Sequence, residues 1–326
     1  MISGAHLVGS VPLADSETVF RTVAAALGPH LDRIPDGETG ERKNWIAWQY
    51  GVLASTPGLV PYATGDRGYL RRQLVRCVAP PEIGPLGYAA AARASFAIFD
   101  RLQHEGVIPR HIRFQVSLPT PLAPITVFVE REERGRVEPP YEQRMLVEVA
   151  EIAAAIPHDR LAIQWDLAVE VALLEHAFPS HIDEQGIRER LARMARAVPP
   201  DVALGFHLCY GDFGHQHFMN PRDAEVLVRL ANTLPRPLDF LHLPVPIGWT
   251  DRAAFAPLAS LALDPDIFLG VVHLSDGVAG ARKRIALADE LLPRFGIATE
   301  CGWGRRAPDS VTPLLELHAS ILRGAQ

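Results

Sequence analysis

Apolar positions along the chain follow two spacings in alternation. Short apolar or β-branched runs, each ending at a polar residue, Gly or Pro, lie at 6–10 (HLVGS), 32–38 (DRIPDGE), 113–119 (RFQVSLP), 161–166 (LAIQWD), 203–209 (ALGFHLC), 238–245 (LDFLHLPV), 269–274 (LGVVHL) and 296–301 (GIATEC). Between them, apolar residues recur with helical period at 16–27, 88–103, 142–155, 184–197, 224–233, 252–261, 279–292 and 311–322. The first kind of run predicts strands and the second predicts amphipathic helices. Asp15 or Ser16, and Ser310, stand where helix N-caps are expected.

Strands and helices in strict alternation predict an α/β protein, a single (β/α)₈ TIM barrel over 1–326. Strands covered on both faces should read as nearly continuous apolar runs, and most of these do. A doubly wound open sheet is the alternative, but no Gly-rich phosphate fingerprint follows an early strand. The crossover after strand 2 is long. Residues 39–84 hold Trp45, Trp48, Tyr50 and Tyr62 with several Pro and Gly, and they read as a lid-like insertion. The charged, Pro-containing stretch 131–140 reads as a surface excursion.

Composition narrows the partners. Hydrophobic residues make up 48% of the 326 positions, enough for a full core. Lys and Arg total 32 against 38 Asp and Glu, a net charge of −6, which argues against nucleic acid, because phosphate contacts need clustered cations. The 3 cysteines, Cys77, Cys209 and Cys301, are too few for a disulfide framework and suit a reducing compartment. There is no apolar run long enough for a membrane span, and MISGAHLVGS reads as a first strand rather than a leader, so the expected location is the cytoplasm.

In a TIM barrel the functional groups gather at the C-terminal ends of the strands. Those ends hold Ser10, Glu38, Asp166, His207 with Cys209, His242, His273 and Cys301. Alternate strand residues share a face, so His207 and Cys209 point the same way. Barrel closure brings Cys301 to the same mouth. Imidazole with two thiolates is a zinc ligand set that leaves one coordination position open, as a catalytic site requires. The plainer alternative is a core histidine with two small buried hydrophobes.

These residues carry a resemblance to the catalytic barrel of cobalamin-independent methionine synthase, in the superfamily shared with uroporphyrinogen decarboxylase. Val8-Gly9-Ser10-Val11-Pro12 resembles that family's opening strand. Asp36-Gly37-Glu38 with Glu41-Arg42 and Asn44, Ile163-Gln164-Trp165-Asp166, His207-Leu208-Cys209-Tyr210, Val272-His273-Leu274-Ser275 and Glu300-Cys301-Gly302 resemble further family segments in the same order. The resemblance implies that His207, Cys209 and Cys301 hold Zn2+. It implies that Ser10, Glu38 and Asp166 bind the carboxylate and amine of a homocysteine-like substrate, and that His273 is a proton shuttle. Where the family has a glutamate ligand, this chain has Pro244; His242, two residues back, is a candidate substitute ligand or a substrate contact. The family's folate-stacking tryptophan has no counterpart at Ser117-Leu118-Pro119-Thr120-Pro121. Arg305 and Arg306, beside the metal strand, are candidates for an anionic substrate group or for surface ion pairs.

The expected function is therefore a zinc-dependent methyltransferase or alkyltransferase. A small-molecule thiol is the acceptor and the nucleophile, His273 is the general acid, and Asp166 and Glu38 orient an amine. The donor stays open between a folate, a small alkyl compound and a corrinoid protein. Two alternatives remain: a metal-independent lyase or decarboxylase acting on a small acidic substrate through Arg305 and Arg306, and a non-catalytic module that binds zinc or a corrinoid protein. The loop Asp212-Phe213-Gly214-His215-Gln216-His217 adds two histidines near the rim, more simply read as a solvated loop.

Overall fold

The computed structural model describes residues 2–63, 73–178, 182–211, 216–234 and 237–324. The barrel strands are β1 (Ile2–Ala5), β2 (Arg33–Pro35), β5 (Arg113–Pro119), β6 (Leu161–Leu167), β7 (Ala203–Leu208), β8 (Phe240–Pro244), β9 (Asp266–Gly270) and β10 (Phe295–Ile297). They form one 8-stranded parallel sheet in the order β1-β10-β9-β8-β7-β6-β5-β2. The two ends of this order meet at a parallel bridge between Ser10 and Gly37, with Val11 N donating to Gly37 O at 2.8 Å. Gly37 has φ +81°, and a Cβ there would lie 2.6 Å from Val19 Cγ2, so only glycine fits this seam.

Around the sheet run α1 (Ser16–Leu27), α3 (Tyr88–His104), α4 (Leu122–Phe128), α5 (Arg134–Ala155), α6 (Val169–Leu174), α7 (Glu184–Ala197), α8 (Glu225–Ala231), α9 (Arg252–Phe255), α10 (Gly277–Asp289) and α11 (Val311–Arg323). Neighbours pack in sequence around the outside, α1 on α3, α3 on α5, α5 on α7, α9 on α10 and α10 on α11, and α11 returns to α1. This is a TIM-like arrangement, as the alternation of strands and helices predicts. No helix of the described residues is long and apolar enough to cross a membrane.

The barrel interior is layered. At the N-terminal end Phe240 and Phe268 pack with Ala162 and Ala203, and the Arg33 guanidinium lies 4.0 Å over the Phe240 ring. Above them sits a buried polar layer. His6 Nε2 lies 2.9 Å from Gln164 Oε1, Gln164 Nε2 donates to Val8 O at 2.7 Å and to Asp166 Oδ1 at 2.9 Å, and Gln115 Nε2 donates to Leu7 O at 3.0 Å. These amides satisfy backbone carbonyls where the chain leaves β1, and they form the floor of the site.

Several expectations need correction. The run at 6–10 does not pair as a strand: β1 is Ile2–Ala5, and the predicted residues carry the chain from the sheet up to the mouth. The strands expected at 32–38 and 296–301 are trimmed to Arg33–Pro35 and Phe295–Ile297, because their C-terminal residues turn into the site. The stretch 131–140 is no excursion. It is a short 3₁₀ turn, Arg131–Glu133, leading into α5, which contains Pro139 and Pro140. Val137 and Tyr141 are fully buried, and Arg190 pairs with Glu138, so tertiary packing overrides the prolines' missing N–H groups. Asp15 caps α1 by accepting from Thr18 N at 2.7 Å. Ser310 holds the N-cap position of α11, as expected, but its hydroxyl donates to Ala307 O and accepts no helix N–H.

The insertion after β2 contains a 3₁₀ turn (Gly40–Asn44), α2 (Gln49–Ala54) and an antiparallel hairpin of β3 (Leu59–Ala63) and β4 (Gln73–Cys77). It is bound to the barrel wall: Tyr141 Oη donates to Gln49 Oε1 at 2.6 Å, Gln49 Nε2 donates to Leu86 O at 3.0 Å, and Trp48 packs edge-on against Tyr88.

Candidate metal centre

Register does the first part of the assembly. On β6, β7 and β8, Asp166 is the partner of His207, and His207 is the partner of His242. The three side chains form one row across the interior, 6%, 2% and 0% exposed. Cys209 follows β7 directly and shares the face of His207. Cys301 follows β10 and approaches from the other side of the mouth. Their sulfurs lie 3.6 Å apart.

The ligand atoms of His207, Cys209 and Cys301 all lie within 4.8 Å of one another, the metal-competent group among the described residues. The residues fit zinc on four counts. Zn–S bonds of about 2.3 Å in a tetrahedral site place two sulfurs about 3.8 Å apart, close to the observed separation. His207 Nε2 is buried without a hydrogen-bond partner, an orphan that a ligand would satisfy. Burial, with His242 and His6 adding to it, holds His207 well below the usual histidine range, hence neutral and able to ligate. Gly211 N donates to Cys209 Sγ at 3.3 Å and Arg305 Nη2 approaches Cys301 Sγ at 3.9 Å, contacts that favour thiolate sulfur.

His242 stands beside this group rather than in it. Its Nδ1 lies 2.6 Å from His207 Nδ1 and its Nε2 lies 3.0 Å from Thr299 O, so both ring nitrogens are engaged. Burial depresses it to about 3.

The other expected residues ring the mouth. Glu38 has φ +46°, an uncommon backbone state for a non-glycine residue. Burial raises its carboxyl to about 8, against the pull of Arg42. Arg42 binds Asp36 rather than Glu38, at 2.6 Å, and Asp36 also accepts from Ser95 Oγ at 2.6 Å and from Glu38 N at 2.8 Å. Asp166 is raised well above the usual carboxylate range by burial first and by Glu38 second. It does not cap the following helix, whose N-cap is Ala168. Ser10 Oγ accepts from Gly304 N at 3.1 Å, and its carbonyl accepts from Trp303 N, tying the seam of the barrel to the segment after Cys301. His273 Nε2 donates to Val245 O at 2.8 Å, while its Nδ1 faces Glu300 Oε2 at 3.4 Å. Burial lowers His273, with Glu300 pulling the other way.

Three contributors carry no sequence signal that assigns them. Glu300, inside the recognised Glu300-Cys301-Gly302 segment, joins His273 to His217, whose Nε2 lies 3.2 Å from Glu300 Oε1. Trp45, from the insertion, lies beside the Asp166 carboxyl. Thr299 contributes a backbone carbonyl, which no side-chain pattern can flag. Residues 212–215, with His215, lie outside the described residues. A groove between α5 and α7 lies on the outer wall, and its Glu138 and Glu142 are already paired with Arg190 and Arg193.

No protein-family model and no curated protein matches the chain. Solved structures do match its fold. A B12-independent methionine synthase from Shewanella sp. W3-18-1, in complex with selenomethionine, superposes with a TM-score of 0.66 at 14% identity, over 100% of this chain and 98% of that one. A candidate vitamin-B12-independent methionine synthase from Listeria monocytogenes gives 0.59 at 13% identity, over 99% and 97%. A methyltransferase from Methanosarcina mazei gives 0.52 at 12% identity, over 96% and 94%. The chain therefore shares their fold along nearly its whole length.

Proposed function

We infer that this chain is a methyltransferase-type enzyme that transfers a methyl or alkyl group to the sulfur of a small, amine-bearing thiol, with zinc held by His207, Cys209 and Cys301. The observation that carries this reading is the convergence of those three ligand atoms within 4.8 Å, at the mouth of a barrel shared with methionine synthases. The neighbour bound to selenomethionine, a selenium analogue of methionine, supports a homocysteine-like acceptor.

Zinc, when bound, supplies a Lewis acid that holds a thiol as its thiolate at neutral pH. The chain's own groups do the rest. Glu38 and Asp166, raised together by burial, gain a counter-ion when a substrate ammonium arrives between them, and that gain favours a cationic amine. Arg305, close enough to act on Glu38 and Cys301, offers a guanidinium to a substrate carboxylate. Ser10 holds the segment that carries Arg305 through Gly304. His273 is the candidate general acid: with Nε2 on Val245 O and Nδ1 facing Glu300, it gives a proton to the departing group only when the substrate displaces one of these contacts. The insertion serves as a lid on the barrel. Two features support this: Trp45 acts on the Asp166 carboxyl, and a Cβ on Gly304 would lie 2.3 Å from Lys43 O, so the insertion packs close against the segment after Cys301. Three cysteines with no disulfide among them suit a reducing cytoplasm. The reading does not extend to a corrinoid-protein partner.

Calorimetric titration of zinc-loaded protein with homocysteine, in two buffers of different ionisation enthalpy, tests the acceptor. The expected result is binding with net proton release, one proton from the thiol and more from Glu38 and Asp166 as they ionise against the ammonium. Absence of binding removes the thiol, and a catalytic activity that survives both chelation and Cys301→Ala points to the lyase alternative instead.

A further inference from the structure

Two buried imidazoles in direct contact need one proton between them, and its position decides what His207 can do. We propose that His242 is a positioning residue that locks His207 in the tautomer with its proton on Nδ1, leaving the Nε2 lone pair for the metal. The inference rests on the zinc reading above and assigns His242 a place outside the ligand set.

The argument runs from Thr299 inward. A carbonyl oxygen only accepts, so the 3.0 Å contact with Thr299 O requires a proton on His242 Nε2. A second proton on Nδ1 would make His242 a cation in a fully buried site, at a high desolvation cost. His242 Nδ1 is therefore an acceptor. The facing His207 Nδ1, 2.6 Å away, must then be the donor. A neutral His207 with its proton on Nδ1 has a bare lone pair on Nε2, and Nε2 is the atom that is buried with no hydrogen-bond partner. The opposite tautomer would bury an unsatisfied N–H there and set two lone pairs against each other at 2.6 Å. Metal-binding histidines generally give their second ring N–H to an acceptor that fixes tautomer and ring angle. Here the acceptor is another histidine, held in turn by the strand end that supplies Cys301. Thr299 is itself pinned: its Oγ1 donates to Cys301 O at 2.8 Å and accepts from Trp303 Nε1 at 2.7 Å. One short relay thus ties the histidine donor on β7 to the cysteine donor after β10.

Two variants and two readouts test this. His242→Phe fills the ring volume without an acceptor, whereas His242→Asn places an oxygen near the Nδ1 position. Long-range ¹H–¹⁵N correlation of ring nitrogens in metal-free protein, with His207 signals assigned by their loss in His207→Gln, reads the tautomer with no metal present. The expected pattern is Nδ1–H in wild type and His242→Asn, and loss of that preference in His242→Phe. Chelator competition should then show zinc held about 10- to 100-fold more weakly by His242→Phe and near the wild-type value by His242→Asn. X-ray absorption should show the same number of sulfur and nitrogen donors in all three loaded proteins. An Nε2–H tautomer at His207 in wild type, equal zinc affinity in His242→Phe, or loss of a nitrogen donor in that variant each overturns the assignment. Wild-type protein that shows the expected tautomer yet takes up no zinc refutes the proposed function, and the tautomer result still stands.

Discussion

Glu38 carries the clearest pH signature outside the metal group. Its carboxyl rises from 4.5 to about 8 because burial penalises the charged form more than Arg42 relieves it. A group raised in this way contributes stability that is fully present below about pH 4.5 and is lost as pH climbs through about 8. Glu38→Gln removes the titration. Metal-free Glu38→Gln is predicted to exceed wild type in unfolding free energy at pH 8.5 by at least about 1 kcal/mol, with the gap closing toward pH 5. Urea unfolding at the two pH values checks this, and a gap that does not change with pH contradicts it. The same substitution is expected to weaken homocysteine binding, since the acid facing the ammonium is gone. At this scale much of the site is legible in the sequence. His207 and Cys209 declare themselves because strand geometry forces alternate residues onto one face. Thr299 does not, because its part is played by a main-chain oxygen, and Trp45 does not, because the docking of an insertion is tertiary.

At the scale of elements, local chemistry sets some boundaries and packing sets others. The helices α1 and α7 start and stop where the periodicity places them, and each has an aspartate N-cap, Asp15 and Asp183. Asp15→Ala is predicted to cost about 1 kcal/mol in thermal unfolding, while Ser310→Ala costs less, because that hydroxyl donates backward to Ala307 instead of capping. Equal losses in the two variants would contradict the capping assignment. The strand ends are harder to read. Polar residues after β1, β2 and β10 extend the apolar runs in sequence but leave the ladder to reach the mouth, so periodicity overestimates these strands. Pro139 and Pro140 mislead in the other direction, since α5 is held by Val137 and Tyr141 in the core. The hairpin of the insertion has no clear alternation to announce it: Pro61 sits inside β3.

At the scale of the whole molecule, barrel closure makes the site. Cys209 and Cys301 are distant in sequence, and only a sheet in which β1 returns to β2 through Ser10 and Gly37 brings them to 3.6 Å. The polar floor of His6, Gln115 and Gln164 separates this mouth from the apolar base, where Arg33 lies over Phe240. The central claim is that the closed mouth holds one zinc through His207, Cys209 and Cys301. Elemental analysis of protein purified without chelator tests it most directly, with wild type beside Cys209→Ala and Cys301→Ala. The account predicts about one zinc per folded wild-type chain and near-complete loss in both variants at unchanged circular dichroism. Folded wild-type protein that carries no zinc and takes none up on dialysis against it would contradict the account.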